Sequence, residues 1–175
     1  DGSYIIRAEI LNPTTKVLQP GEELDFSAVF QAYRSTEQKA VVDPVEELNH
    51  RRGFLKNIDE NLVLDTPDDV IDREFRFAKI RASESIVKTK GGYMHAPGGE
   101  SYYAAIWAND QAEYVNPFFP FLGYEVGNES AFNSFKIFAR FMNDEFKPIP
   151  SSIIAEGTDI WNGAGDRGDA AMIAY

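Results

Sequence analysis

Residues 128–143 read NESAFNSFKIFARFMN, and this stretch decides the predicted fold. Asn128 is a suitable N-cap, and apolar residues then recur at three- and four-residue intervals, so we predict a helix from Asn128 to about Asn143. Its apolar surface is wider than one contact face requires, which is typical of a helix buried on two sides in a double layer of helices. The apolar positions are Phe132, Phe135, Phe138 and Met142 on one side and Ile137 and Phe141 on another.

An earlier helix start lies at Thr66-Pro67-Asp68-Asp69. Thr66 can cap the helix, Pro67 suits the first helical position, and the two acids favour the positive end of the helix dipole. We predict that this helix runs to about Lys88 and ends at Gly91-Gly92. Further helices are predicted from 107–110 to the prolines at 117 and 120, and from Asp166 onward.

The first third of the chain has the alternation of β-strands. Apolar residues alternate from Tyr4 to Ile10 and again from Leu24 to Phe30. Because two or three strands do not form a stable sheet alone, we expect partner strands before Asp1. We therefore predict three parts: the end of a β-sandwich in 1–35, a connector in 36–66 and a helical domain in 67–175. The connector is expected to contain a short helix in 45–55. The fold class is mainly α with an N-terminal β portion.

Composition excludes several functions. The 175 residues carry a formal net charge of −11, so nucleic acid and anionic membranes are unsuitable partners. The absence of cysteine excludes disulfides, thiol catalysis and zinc–thiolate sites. The chain begins at Asp1 and stops inside a predicted helix at Tyr175, so we expect it to be truncated at both ends and to bind the remainder of its own chain. A removed leader favours a periplasmic or extracellular location.

Candidate chemistry is concentrated in three stretches that combine acids, aromatic rings and glycines: 98–110, 147–153 and 155–169. Cleavage of a glycosidic bond needs one carboxylic acid to protonate the leaving oxygen and a second carboxylate to activate water or attack the sugar. Sugars also need flat apolar surfaces and planar polar groups. Residues of both kinds occur here: Tyr102, Tyr103, Trp107 and Trp161 as rings, and Asp110, Glu156, Asp159, Asp166 and Asp169 as acids.

Three short motifs in these stretches resemble a known family. They are Trp107-Ala-Asn-Asp110, Ile149-Pro-Ser-Ser-Ile153 and Asn162-Gly-Ala-Gly-Asp166-Arg-Gly-Asp169-Ala170. Their order is similar to that of the six-hairpin glycosidases, which include glycogen-debranching, rhamnosidase and trehalase-like enzymes. The resemblance covers roughly 67–175. It implies the first hairpins of an (α/α)6 toroid, preceded by the last strands of a β-sandwich, and a glycoside hydrolase that acts on oligo- or polysaccharide.

The resemblance also implies roles for single residues. Asp110 holds sugar hydroxyls and Trp107 supports it or packs beneath the ring, while Glu156 or Asp159 acts as general acid. Asp169 lines the site from the start of the next helix. The mechanism is inverting, the second catalytic carboxylate lies beyond Tyr175, and no cofactor is required. Trp161 and Asp166 complete the predicted substrate-binding set.

Alternatives remain open at this point. A non-catalytic carbohydrate-binding or scaffold protein of the same fold keeps the sugar platform without the acid pair, and Asn109 favours it because the family usually has a basic or aromatic residue there. Phosphorolysis requires a phosphate site, which the sequence does not offer. Asp166 can instead cap a helix and Trp107 can be a core residue. The acids of 159–169 lack the spacing of a calcium loop, and the two histidines, His50 and His95, lie too far apart for a zinc site.

Overall fold

The computed structural model describes residues 3–96, 105–154, 157, 168 and 171–174. The chain divides into two compact units, Asp1–Phe54 and Leu55–Tyr175.

The first unit is built on one antiparallel hairpin. Strand β1 (Tyr4–Leu11) pairs with β2 (Ser27–Arg34) in a register that joins Tyr4 to Arg34 and Leu11 to Ser27. Both predicted strands are therefore confirmed, although the second begins at Ser27 rather than at Leu24. The side chain of Gln31 exchanges two hydrogen bonds of 3.1 Å with the backbone of Ala40, so the chain after β2 folds back beside the hairpin.

The predicted β-sandwich is wrong for the described residues of this unit. One two-stranded sheet is present there, whereas a sandwich needs two sheets packed face to face. Residues opposite one another in an antiparallel pair share a face, so Ile6, Ala8 and Phe30 lie on the same side of the hairpin. Ile6 is 83% exposed and Phe30 is 77% exposed, so no second layer covers this face within the described part of this unit.

Two long helices follow, α1 (Pro44–Glu60) and α2 (Asp69–Glu84). The predicted short helix in 45–55 is confirmed as a helix, but it is longer. In the second unit, the buried ammonium of Lys79 donates hydrogen bonds to the backbone carbonyls of Asp59, Asn61 and Leu62. The last carbonyls of a helix have no partner within the helix, so Lys79 supplies donors at the end of α1.

Helix α2 is capped by a different residue from the one predicted. The Asp68 carboxylate accepts a hydrogen bond of 2.9 Å from the Val70 amide, so Asp68 is the N-cap. Thr66 instead donates its backbone amide and its hydroxyl to the carboxylate of Asp72. Both residue types are good caps, and the sequence does not show which of them has the extended backbone that an N-cap requires.

The chain after α2 forms a hairpin rather than more helix. Strand β3 (Ile86–Thr89) pairs with β4 (Gly92–His95), and Gly92 turns the chain with φ = 105°. The prediction of a helix to Lys88 is wrong because Ile86, Val87 and Thr89 are β-branched and pack well on a sheet. Lys90 and Gly91 form the turn of this hairpin, so Gly91-Gly92 does not end a helix.

The rest of the second unit combines short strands with helices. Strand β5 (Ala105–Trp107) leads into a π-helix (Asp110–Val115) and α3 (Asn116–Leu122). Helix α4 (Glu125–Ala139) follows, then β6 (Ser152–Ile154), which pairs with β5, and α5 (Ala171–Ala174). The core consists of buried residues from β4, β5, β6 and α4. They are Met94, Ile106, Ala108, Ile137, Phe138 and Ile153.

The predicted (α/α)6 toroid is wrong. Five α-helices are described, and they alternate with three two-stranded antiparallel sheets, which gives an α+β arrangement. Helix α4 packs against β3, β4, α3 and the π-helix rather than between two layers of helices. Its outer side is open, since Phe132 is 67% exposed.

Candidate functional site

The two predicted sugar-binding residues that the structure describes lie at one junction. Trp107 is the last residue of β5 and Asp110 is the first residue of the π-helix, and both side chains are partly buried. Strand β6 holds the backbone before the π-helix, because Trp107 pairs with Ser152 in the sheet. The Ala108 amide also donates a hydrogen bond of 2.8 Å to the Ser151 carbonyl. A π-helical turn widens the helix locally and occurs frequently at functional sites.

Strand β6 and helix α5, which precede and follow residues 158–167 in the chain, lie next to this junction. On one side, β6 pairs with β5, and the Gly157 amide donates a hydrogen bond of 2.7 Å to the carbonyl of Ile154. On the other side, α5 packs against the π-helix, and Ile173 packs against the core. The chain therefore leaves the junction along β6 and returns to it at α5.

The remaining predicted site residues lie outside the described residues. These residues are Glu156, Asp159, Trp161, Asp166 and Asp169.

A buried polar contact holds the π-helix, and the sequence reasoning missed it. The Gln111 side chain is buried, and its Nε2 donates a hydrogen bond of 2.9 Å to the backbone carbonyl of His95. This bond fastens the residue after Asp110 to β4, 16 positions earlier in the chain. A glutamine in a polar stretch gives no sign in the sequence that it is buried, so periodicity could not reveal this contact.

A second buried polar pair joins α3 to α4. Nδ2 of Asn116 donates a hydrogen bond of 3.0 Å to the Ser134 hydroxyl. That hydroxyl in turn donates a hydrogen bond of 2.8 Å to the Ala131 carbonyl. Hydroxyl-bearing and small residues therefore form much of the buried side of α4. This pair sets the distance between the two helices that follow the junction.

His95 is buried beside the junction. Its side chain is 6% exposed, and its ring meets Phe119 edge-on, with the centroids 6.2 Å apart. Burial lowers the pKa of His95 from 6.5 to about 4, because the charged imidazolium loses its hydration. The ring is consequently neutral at pH 7. This state suits a core position rather than an acid catalyst.

We expect His95 to make the stability of the second unit depend on pH. In the unfolded chain, His95 binds a proton below pH 6.5, whereas the folded protein resists it until about pH 4, so stability is lost as the pH falls through this window. The full loss is about 3 kcal/mol. Urea unfolding at about pH 7.5 and about pH 5 measures a large part of it. His95→Leu should reduce this pH dependence, whereas His50→Leu on α1 should not, and equal slopes for both variants would contradict the assignment.

Among the described residues, no three histidine or acidic side chains come together in a group that could hold a metal ion. In the same part of the chain, no helix is both long enough and apolar enough to cross a membrane.

Comparisons with known proteins add no identification. No protein-family model, no curated protein and no solved structure matches this chain.

Proposed function

We propose that this protein is a glycoside hydrolase that acts on oligo- or polysaccharide by carboxylate general acid/base catalysis. One observation supports this proposal more than any other. Strand β6 pairs with β5 and helix α5 packs against the π-helix, and β5 and the π-helix carry Trp107 and Asp110. The described elements before and after the acid-rich residues, β6 and α5, thus both contact the elements that carry the aromatic ring and the acid.

The residues of the junction suit the binding of sugar. Trp107 is partly buried, so part of this large aromatic side chain is anchored and part of it is exposed to solvent. Asp110 lies three residues later in a widened helical turn, where its carboxylate can accept hydrogen bonds from sugar hydroxyls. The hydrogen bond from Gln111 to the His95 carbonyl fastens this turn to β4.

The chemistry proposed for the site is inversion at the anomeric carbon. Glu156 or Asp159 donates a proton to the leaving oxygen, and a second carboxylate activates a water molecule on the opposite face of the sugar. Two carboxyl groups that act in this way are separated by about 6.5–9.5 Å. Trp161, Asp166 and Asp169 are proposed as further sugar contacts.

Hydrolysis of a panel of aryl glycosides tests the proposal. We expect turnover of at least one member, and we expect Asp110→Asn to lower kcat/KM for that substrate by about tenfold or more, because one charge-assisted hydrogen bond is lost. Glu113→Gln is the matched control, since Glu113 is an exposed acid on the same π-helix. Equal losses in the two variants would show that Asp110 has no special role.

The rival function is carbohydrate binding without catalysis. Asn109 favours it, because the resembled family usually has a basic or aromatic residue at this position. The same panel separates the two functions when binding is measured beside turnover. A protein that binds oligosaccharides but hydrolyses none of the aryl glycosides is a binding protein. A protein that does neither contradicts both readings.

A further inference from the structure

Helix α4 carries an exposed apolar surface on the side opposite the core. Its buried side includes Ser130, Ser134 and Phe138. At 3.6 residues per turn, Phe132 and Phe135 lie on the other side, and they are 67% and 39% exposed. Two neighbouring aromatic side chains on an open helix face are typical of a surface that contacts another protein.

The charges beside these rings follow an ordered pattern. Glu125 and Glu129 lie in the first half of α4, whereas Lys136 and Arg140 lie at its end, and all four are exposed. Along the helix, the four charged residues are separated by four, seven and four positions. Their arrangement is therefore symmetric about a point next to Phe132. Reversing the helix direction exchanges the acids with the bases.

We propose that α4 is the contact surface of a homodimer in which two copies pack antiparallel about a twofold axis near Phe132. In this arrangement Glu125 faces Arg140 of the second copy, and Glu129 faces its Lys136. The Phe132 rings of the two copies meet at the axis, where an aromatic pair is favourable. The opposed helix dipoles also attract each other.

The self-complementary charge order identifies a second copy as the occupant. An isologous interface must present the same patch on both subunits, so each charge needs its opposite at the symmetry-related position. The pattern on α4 meets this condition at both pairs of positions. A partner of unrelated sequence does not require such symmetry.

The dimer is expected to be weak. A helix of 15 residues is about 22 Å long, so α4 alone buries less area than a standard stable interface. Association therefore belongs at the transient end of protein–protein contacts, and charge complementarity contributes mainly to its specificity.

Sedimentation velocity of the full chain over a concentration series tests this proposal. We expect reversible dimerisation of the wild type, and at least about tenfold weaker association of the two double variants Glu125→Lys/Glu129→Lys and Lys136→Glu/Arg140→Glu, since each places like charges opposite one another. Circular dichroism checks that both variants keep their helix content.

An equimolar mixture of the two double variants gives the decisive control. One variant is then basic along the whole helix edge and the other is acidic, so the mixture should form a heterodimer although neither variant self-associates. This recovery separates a lost interface from a lost fold. A wild type that stays monomeric at all concentrations, charge variants that dimerise like the wild type, or a mixture without association would each overturn the proposal.

Discussion

Replacing Glu156 by glutamine or Asp159 by asparagine is expected to lower turnover by about 100- to 10,000-fold in whichever of the two is the general acid. An amide cannot donate the proton that the leaving oxygen needs, yet it keeps the shape of the side chain. Binding of oligosaccharide should therefore change much less than kcat. Steady-state kinetics on the aryl glycoside found by screening measures the first quantity, and calorimetric titration measures the second.

The matched controls are Asp144→Asn and Glu145→Gln. These two acids are exposed and lie in the loop after α4, so their amides test whether removing any surface charge slows the enzyme. We expect both controls to retain normal turnover. Full activity in both Glu156→Gln and Asp159→Asn would contradict the assignment of the acid to this segment.

Replacing Phe138 by alanine is expected to lower the free energy of unfolding by about 3–5 kcal/mol. The Phe138 side chain is fully buried and belongs to the core cluster with Ile106 and Ile153. Its removal loses apolar burial and leaves a cavity beneath the β5–β6 pair. Because that pair carries Trp107, binding of sugar should weaken together with stability. Urea unfolding followed by circular dichroism measures the change.

Phe132→Ala is the control for this prediction. Phe132 is on the same helix, six residues earlier, but its side chain faces outward. Its replacement at low protein concentration should change the free energy of unfolding by about 0.5 kcal/mol or less. Equal losses at Phe132 and Phe138 would mean that the described burial of α4 is wrong.

The sequence predicted the positions of several helices better than it predicted their surroundings. A helix was expected over 128–143, and α4 occupies Glu125–Ala139. Its wide apolar surface indicated burial on two sides, yet the core face is formed largely by small residues such as Gly127, Ser130 and Ser134. A Cβ at Gly127 would come within 2.5 Å of the Phe119 ring, so the close approach of α3 depends on this glycine. Apolar periodicity does not weigh such small residues correctly.

The error in architecture arose from short strands. Strands β5 and β6 have three residues each, and β3 and β4 have four, so none is long enough to show alternation. The β5–β6 pair joins residues 105–107 to 152–154, a distant contact that no local pattern in the sequence contains. Predicting the stretch as alternating helices and loops therefore left out the strand pair that brings Trp107 beside Ser152.

The residue types of the candidate site could be predicted from the sequence, but the buried hydrogen bonds that hold these residues in place could not. Trp107 and Asp110 were singled out because a ring and an acid occur together at the start of a helix, and the structure places both at the β5–π-helix junction. Gln111 and His95, which hold that junction, were not predicted as a pair. Buried hydrogen bonds of this kind depend on tertiary packing, which sequence spacing does not reveal.

The most direct measurement uses the two tryptophans of the chain, Trp107 and Trp161, as reporters. Protein labelled with 5-fluorotryptophan gives two ¹⁹F resonances, which Trp107→Phe and Trp161→Phe assign, and tetrasaccharides of glucose, xylose and mannose are then titrated. If the junction and the acidic segment form one sugar pocket, both resonances shift with the same Kd for the same tetrasaccharide. A shift of only one resonance, or of neither with any tetrasaccharide, would contradict the account.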